Sequence, residues 1–280
     1  MFKSFDNFAE IEADLAANAP SVVYKYRTWK DVHHKALLND YEIYFAHPFS
    51  LNDPEEARPE TEFDLNEIQD PRYFQKLLDS ASSQPGAGNT RAEIRKLAED
   101  KWEETKANPG LIIANQKAHN ADKAFFDVFG IFSTGKSGLN GSLWQSLEYG
   151  DNHAGYCIGF KTVELCRHIQ GGYGYVEYGD APIKYSFFNK QSDPSGLYFK
   201  KLKWAVEEEF RFLTTGVGVY CDRYHYFQPD AVSEIILGYN MPVADRKEIL
   251  DIIKNKYPAG LPVYETFLDA GGQLDKRRIQ

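Results

Sequence analysis

Apolar and polar positions along the chain fall into three successive rhythms. Residues 5–17 repeat apolar side chains at helical spacing and stop before Pro20, and "SVVYKYR" (21–27) then alternates as a strand does. "TWKDVHHKALLND" (28–40) returns to the helical period with Thr28 as its expected N-cap, and "YEIYFAHP" (41–48) predicts a second strand. Asn52-Asp53-Pro54 follows as a tight turn, set by local side-chain bonding and fixed proline geometry. Residues 69–125 are helical by period in three segments, the first two joined by the flexible "SSQPGAGN".

From residue 126 the pattern becomes extended, in "FFDVFGIFS", "HAGYCIGF", "GYGYVEYG", "KWAVEEEFRFLTTG", "VYCDRYHYF" and "VSEIILGY". A helix over 244–257 and a last strand, "LPVYETF", close the chain. Strands in series without regular intervening helices predict an α+β fold with a mixed or mainly antiparallel sheet. One domain is expected over 1–280, with residues 69–125 as a helical insertion.

Composition narrows the classes. A chain of 280 residues that is 42% hydrophobic, with 18 Tyr and 19 Phe, can bury a sizeable core. A net charge of −9 opposes indiscriminate binding to nucleic acid or anionic membrane, which needs clustered Lys and Arg. Lys200, Lys201 and Lys203 cluster, and a solvated strand end accounts for them. Cys157, Cys166 and Cys221 are too few and scattered for a disulfide scaffold and suit reduced thiols. The opening segment lacks an apolar h-region, and no stretch approaches the roughly 18 apolar residues of a membrane span. A soluble, cytoplasmic protein with no membrane partner is the expectation.

Several motifs carry candidate chemistry. "GIFSTGKS" (130–137) has the letters of a phosphate-binding loop, but "GLNG" follows where a helix must begin, and Ile131 and Phe132 are bulky for such a loop. His153 and Cys157, four apart on an extended segment, stand about 13 Å apart, too far for proton transfer, so His153 is expected as a strand-entry histidine bonded to backbone. Asp53, Glu55 and Glu56 offer hard oxygens, but the turn role is preferred, and no His or Cys spacing suits a metal. On the first strand, Tyr24 and Tyr26 should face the core, with Lys25 and Arg27 on a solvated basic face. The sharpest constellation is "KWAVEEEFRFL": as a strand it puts Glu207, Glu209 and Arg211 on one face, about 7 Å apart, with Val206, Glu208, Phe210 and Phe212 on the other. Neighbouring carboxylates raise one another's pKa and Arg211 lowers it again, so at least one of the two is expected to stay ionised.

In order, these motifs resemble a bacterial family known as domain of unknown function 2971. The likeness rests on Tyr24 and Tyr26, on Phe49, Asn52, Asp53 and Pro54, and on Phe132 and Ser133. It continues through Trp144, Tyr149, Asn152, His153 and Gly155, through Trp204, Glu207, Glu209 and Arg211, and ends at Ile236 and Gly238. Ser146 departs from the pattern, standing where the family often has His.

More distantly, an early Arg, an aromatic-Ser-Thr strand and Glu-x-Glu resemble arginine-type mono-ADP-ribosyltransferases. That likeness implies NAD as substrate and an enzyme of the glycosyltransferase or glycohydrolase type, acting as a toxin or phage-defence effector. It implies that Arg27 holds the pyrophosphate and that Ser133, beside Thr134, orients the ribose. It also implies that Glu209 stabilises developing positive charge and that Glu207 activates an acceptor. Two other readings stay open. One is a non-catalytic ligand- or protein-binding module with a structural Glu-x-Glu-x-Arg strand. The other is a P-loop NTPase, marked by a helix starting at Lys136.

Overall fold

The computed structural model describes residues 7–53, 56, 60–83, 90–120, 126–169, 171–188 and 194–280. Helix α1 (Phe8–Asn18) leads into strand β1 (Val22–Arg27), helix α2 (Val32–Asn39), β2 (Glu42–Tyr44) and β3 (Thr61–Phe63). Three helices follow, α3 (Pro71–Ser82), α4 (Arg91–Ala107) and α5 (Pro109–Asn120), as the helical period of 69–125 requires. Then come β4 (Phe129–Gly135), α6 (Gly141–Gln145), β5 (Tyr156–Lys161), α7 (Thr162–Cys166) and β6 (Gly172–Tyr175). Strands β7 (Glu177–Tyr178), β8 (Ile183–Tyr185), β9 (Phe199–Lys200), β10 (Glu209–Thr215), β11 (Tyr224–Tyr226) and β12 (Val232–Leu237) precede α8 (Val243–Lys256), β13 (Val263–Leu268) and β14 (Leu274–Arg278).

Eight strands form one sheet in the order β14-β13-β12-β5-β1-β4-β10-β6. All neighbours are antiparallel except β12 and β13, which are joined through α8, since parallel neighbours need a crossover. This is the α+β architecture with a mostly antiparallel mixed sheet. Three two-stranded ribbons, β2–β11, β3–β8 and β7–β9, flank it.

The alternation of side chains assigns the two faces. Phe132, Ile158, Phe160, Phe210, Phe212, Ile235 and Val263 meet Leu15, Leu37, Leu38, Leu165, Ile249 and Ile253 of the helices in the main core. Burying each such side chain contributes about 1.5–3 kcal/mol, so these contacts fix the helices to that face. On the opposite face, Tyr26, Cys157 and Ile236 lie with Leu143 and Trp144 of α6, and Phe129, Ile131 and Leu213 lie with Leu197 and Tyr198. A separate small core lies beside α3–α5, where Ile68 and Tyr73 pack with Phe187. Among the described residues, no helix is long and apolar enough to cross a membrane.

Local chemistry moves some expected boundaries. Asp31, not Thr28, caps α2, its carboxylate accepting from the His33 amide at 2.8 Å, while Thr28 Oγ1 accepts from the Lys30 amide. "LPVYETF" is not the last strand: the charged edge strand β14, without an apolar alternation to announce it, pairs with β13. Lys25 and Arg27 do not form a solvated face, because β1 is central and covered on both sides: Lys25 is buried and Arg27 half-buried.

The turn before β5 holds three consecutive non-glycine residues in the left-handed region, Asp151, Asn152 and His153, with φ of 51°, 50° and 64°. Each costs about 1–2 kcal/mol for an L-residue, so neighbouring bonds must hold the turn. Lys30 Nζ reaches Asp151 at 2.8 Å, and Asn240 donates from its side chain to the Asn152 carbonyl and from its amide to the His153 carbonyl. Gly238, just after β12, seats this turn, and a Cβ there would stand 2.1 Å from the His153 carbonyl oxygen. Gly238→Ala is therefore expected to cost about 3 kcal/mol, whereas Gly141→Ala, with nothing within 4 Å of its Cβ, should be near neutral. Urea unfolding midpoints at unchanged m-value measure both.

Candidate active site

The acidic segment does not run as one strand. Leu202–Glu207 forms a 3-10 turn, Glu208 adopts φ 46° and ψ 52°, and β10 begins only at Glu209. The left-handed residue breaks the period of two assumed from sequence. Val206 is consequently exposed rather than an apolar anchor, and Glu208 points outward. Glu207 and Glu209 both turn inward, at 4% and 6% exposure.

There they meet a buried ionic cluster. Lys200 Nζ donates to Glu207 Oε2 at 2.6 Å and to Glu209 Oε1 at 2.7 Å. Arg211 Nε donates to Glu209 Oε2 at 2.8 Å, its Nη1 to the Leu197 carbonyl at 2.6 Å, and its Nη2 to Glu56. Glu56 also stands 3.4 Å from Lys200. Lys200, expected on a solvated strand end, is thus the hub of the cluster. It belongs to β9, whose parallel pairing with β7 sets Lys200 beside Tyr178, and the Tyr178 hydroxyl accepts from the Glu209 amide.

Three carboxyl groups face Lys200 and Arg211 here, and burial pushes the nearby Lys25 ammonium towards its neutral form, so full ionisation of the carboxyls would leave one uncompensated negative charge in a dry interior, a costly state. A proton resolves it. Burial, then a hydrogen bond with Glu209, pushes the Glu207 carboxyl up to about 8. Burial acts on Glu209 as well, but Arg211 and Lys200 outweigh it and hold Glu209 well below the usual carboxylate range. Glu207 and Glu209 therefore form a carboxyl–carboxylate pair in which Glu207 carries the proton at neutral pH.

A small cavity adjoins the pair, lined by Tyr24, Lys25 and Tyr26 of β1, Ser133, Thr134 and Gly135 of β4, and Leu143, Tyr149, Glu207 and Glu209. Its position follows from the sheet. Strand β1 meets β4 at one register position, Tyr24 opposite Gly135, and the two strands then part. Lys25 Nζ donates to the Ser133 carbonyl at 2.6 Å, occupying an acceptor that a continuous ladder would have used. The volume is about 30 Å³, room for one or two waters.

The other candidate residues divide into groups. Ser133 lines the cavity on the Glu209 face, whereas Thr134, its strand neighbour, points to the opposite face and donates to the Phe210 carbonyl at 2.6 Å. Tyr26 donates to the Ser137 carbonyl and packs edge-on against Trp144. Asn52 donates to the Tyr149 hydroxyl at 3.2 Å, and Asp53 accepts from the Trp204 indole at 2.6 Å, with that ring 5.0 Å from Lys200.

Arg27 does not line the cavity. Its guanidinium feels Tyr156, Tyr149 and Asp31, and it makes no hydrogen bond or ion pair with another described residue. Tyr149 connects the two regions, since Glu207 also acts on its hydroxyl. His153 is not bonded through its ring to backbone. The imidazole stacks between Trp144 and Tyr239, at 6.0 and 4.3 Å, and burial lowers its pKa. Cys157 is buried, which raises its thiol far from thiolate formation.

The phosphate-loop letters fall on a strand. Gly130–Gly135 is β4, committed to pairing with β10, and the next helix starts at Gly141 behind the Asn140 cap, not at Lys136. Pro54 and Glu55 lie outside the described residues. Among those described, no group of three or more His, Cys, Asp or Glu side chains is arranged to hold a metal. Sequence reasoning missed Lys200 and Lys25, and it weighed Glu56 only as a metal ligand. The lone signal for Lys200 was its place one residue after Phe199 in an alternating stretch.

Removing the hub should uncover its cost. Lys200→Met is expected to destabilise the fold by about 3–5 kcal/mol, with partial recovery when Glu207→Gln is added, as denaturant unfolding of both proteins measures. The pH dependence has a defined sign. Between about pH 4.5 and 8 the folded protein keeps a proton on Glu207 that the unfolded chain releases, so this residue's contribution to stability falls as pH rises through that window. Glu207→Gln should thus gain stability relative to wild type between pH 5 and 9. A constant difference across that range refutes the assignment.

Comparison with protein-family models, with curated proteins and with solved structures returned no match to this chain.

Proposed function

We propose that the protein is an ADP-ribosyltransferase-like enzyme that consumes NAD, with its chemistry at the cavity between β1 and β4. One observation carries the reading: Ser133 and the Glu207–Glu209 pair, distant from each other in the chain, line the same cavity. The substrate class is taken from the likeness of Arg27, Ser133 and Glu207-x-Glu209 to arginine-type mono-ADP-ribosyltransferases, and the bacterial family likeness rests on the motifs alone.

The residue types suit cleavage of a nicotinamide–ribose bond. Positive charge grows on the sugar as the bond breaks, and ionised Glu209, fixed by Lys200 and Arg211, is a preorganised anion for it. Departing nicotinamide takes the bond's electron pair and needs no proton. The acceptor's nucleophile then bonds the sugar carbon that nicotinamide leaves, and Glu207 orients it and, once ionised above about pH 8, accepts the proton it sheds. Ser133 offers its hydroxyl to the ribose. Arg27 lies outside the cavity and its guanidinium has no hydrogen-bond or ion-pair partner among the described residues, so the pyrophosphate role that the likeness implies requires the dinucleotide to reach beyond the cavity.

A second reading is favoured by the cavity's size. About 30 Å³ holds water, not a dinucleotide, and the ionic cluster is closed on itself. In that reading Glu207, Glu209 and Arg211 are structural, and the protein is a binding module. The enzyme reading requires Tyr149 and Leu143 to move aside when NAD binds.

Nicotinamide release and thermal unfolding, each measured with millimolar NAD, separate the two. The enzyme reading expects turnover that falls at least about 100-fold in Glu209→Gln and in Ser133→Ala. It also expects a stability gain near 2.7 kcal/mol at about 100 Kd of NAD. Ser133→Ala leaves the ionic cluster untouched, so its loss cannot be blamed on misfolding. Absent turnover and an unmoved transition leave the structural reading standing.

A further inference from the structure

A much larger cleft lies along the free side of β6, about 600 Å³ in volume, within the range of small-molecule sites. Its walls are aromatic. Tyr173 stacks on Phe210 with centroids 6.3 Å apart, and Tyr175 meets the same ring edge-on at 5.2 Å. Tyr198 backs the strand, 3.3 Å from where a Cβ at Gly174 would stand, so the glycine lets that ring pack close against it. Tyr175 is 41% exposed.

The ribbon β7–β9 forms the next wall. Its register pairs Glu177 with Phe199 and Tyr178 with Lys200. Tyr178 and Lys200 turn to the ionic cluster, so Glu177 and Phe199 turn the other way, into the cleft. Glu177 is exposed, and its side chain makes no hydrogen bond or ion pair with another described residue. Asp14 of α1 adds a second carboxylate, accepting from the Tyr173 hydroxyl at 2.9 Å, and Lys184 is the only cation among the described lining residues. The described lining thus combines electron-rich ring faces with two carboxylates and a single cation, the pairing that attracts organic cations. Tyr175 already shows the preference: Lys136 Nζ lies 4.8 Å from its ring centroid.

We propose that this cleft is a binding site for an organic cation, an alkylammonium or guanidinium group, held between its aromatic rings and Glu177. The inference is independent of NAD consumption. The two sources of such a group, a methylated ammonium and an arginine side chain, are distinguished by probing with choline and with arginine amide, and 3,3-dimethylbutan-1-ol serves as the neutral isostere of choline.

Calorimetric or NMR titration of the full chain is expected to give saturable binding of at least one cation, with the isostere at least about tenfold weaker. Glu177→Gln and Tyr175→Leu, both at exposed positions, should each weaken the cation about tenfold while leaving the melting temperature unchanged. Preference for choline assigns the site to methylated ammonium ligands, and preference for arginine amide assigns it to arginine side chains. Equal binding of cation and isostere, affinity unchanged in Glu177→Gln, or no saturation by either cation up to 10 mM (about 3 kcal/mol of affinity) overturns the proposal.

Discussion

The arrangement of this protein's second half depends on keeping five ionisable groups out of water at once. Glu56, Lys200, Glu207, Glu209 and Arg211 come from four separate stretches of chain, and none is tolerable in the interior without the others. Their mutual neutralisation, completed by a single proton, explains why β9 must approach β10 and why the segment before β10 coils instead of extending. It also explains the backbone strain at Glu208. A left-handed glutamate costs about 1–2 kcal/mol, less than leaving Glu207 outside the network with Lys200 unmatched.

The parting of β1 from β4 is the complementary constraint. A continuous eight-stranded sheet would have sealed the region between Tyr26 and Ser133. Instead, Lys25 satisfies one carbonyl from the side, and the gap becomes the place where the carboxyl pair meets Ser133. The site is thus made by a defect in pairing between two well-formed strands. That is economical, because the surrounding ladders with β5 and β10 hold both walls rigid.

Much of the fold was legible because its signals are local. Period and composition marked β1, β4, β5, β12 and α8 within a few residues, and the helices α3–α5 stood out by a change of rhythm. The acidic segment was legible as chemistry but not as geometry: nothing in "EEE" announces which glutamate takes the left-handed turn. Glu56 was hidden for a different reason, since its partner Arg211 lies 155 residues away and only tertiary packing brings them together; Lys200 has its glutamates 7 and 9 residues on, but the turn that folds them back onto it is not announced by the letters. Lys25 was misread because alternation says which side a residue faces, not whether that side is covered. The Walker letters failed by the same logic in reverse, a correct string laid on a strand whose amides were already engaged.

The ribbon of β7 and β9 is a partition two residues thick, with one chamber on each side. Because successive residues of a strand face opposite ways, a one-residue insertion or deletion near 198–201 would exchange the residues that β9 gives to the two chambers. Lys200 would be turned toward the tyrosine-lined cleft and Phe199 toward the buried carboxylates. Residue count on this short wall is therefore locked to charge balance, and the two chambers can drift in side-chain identity but not in chain length.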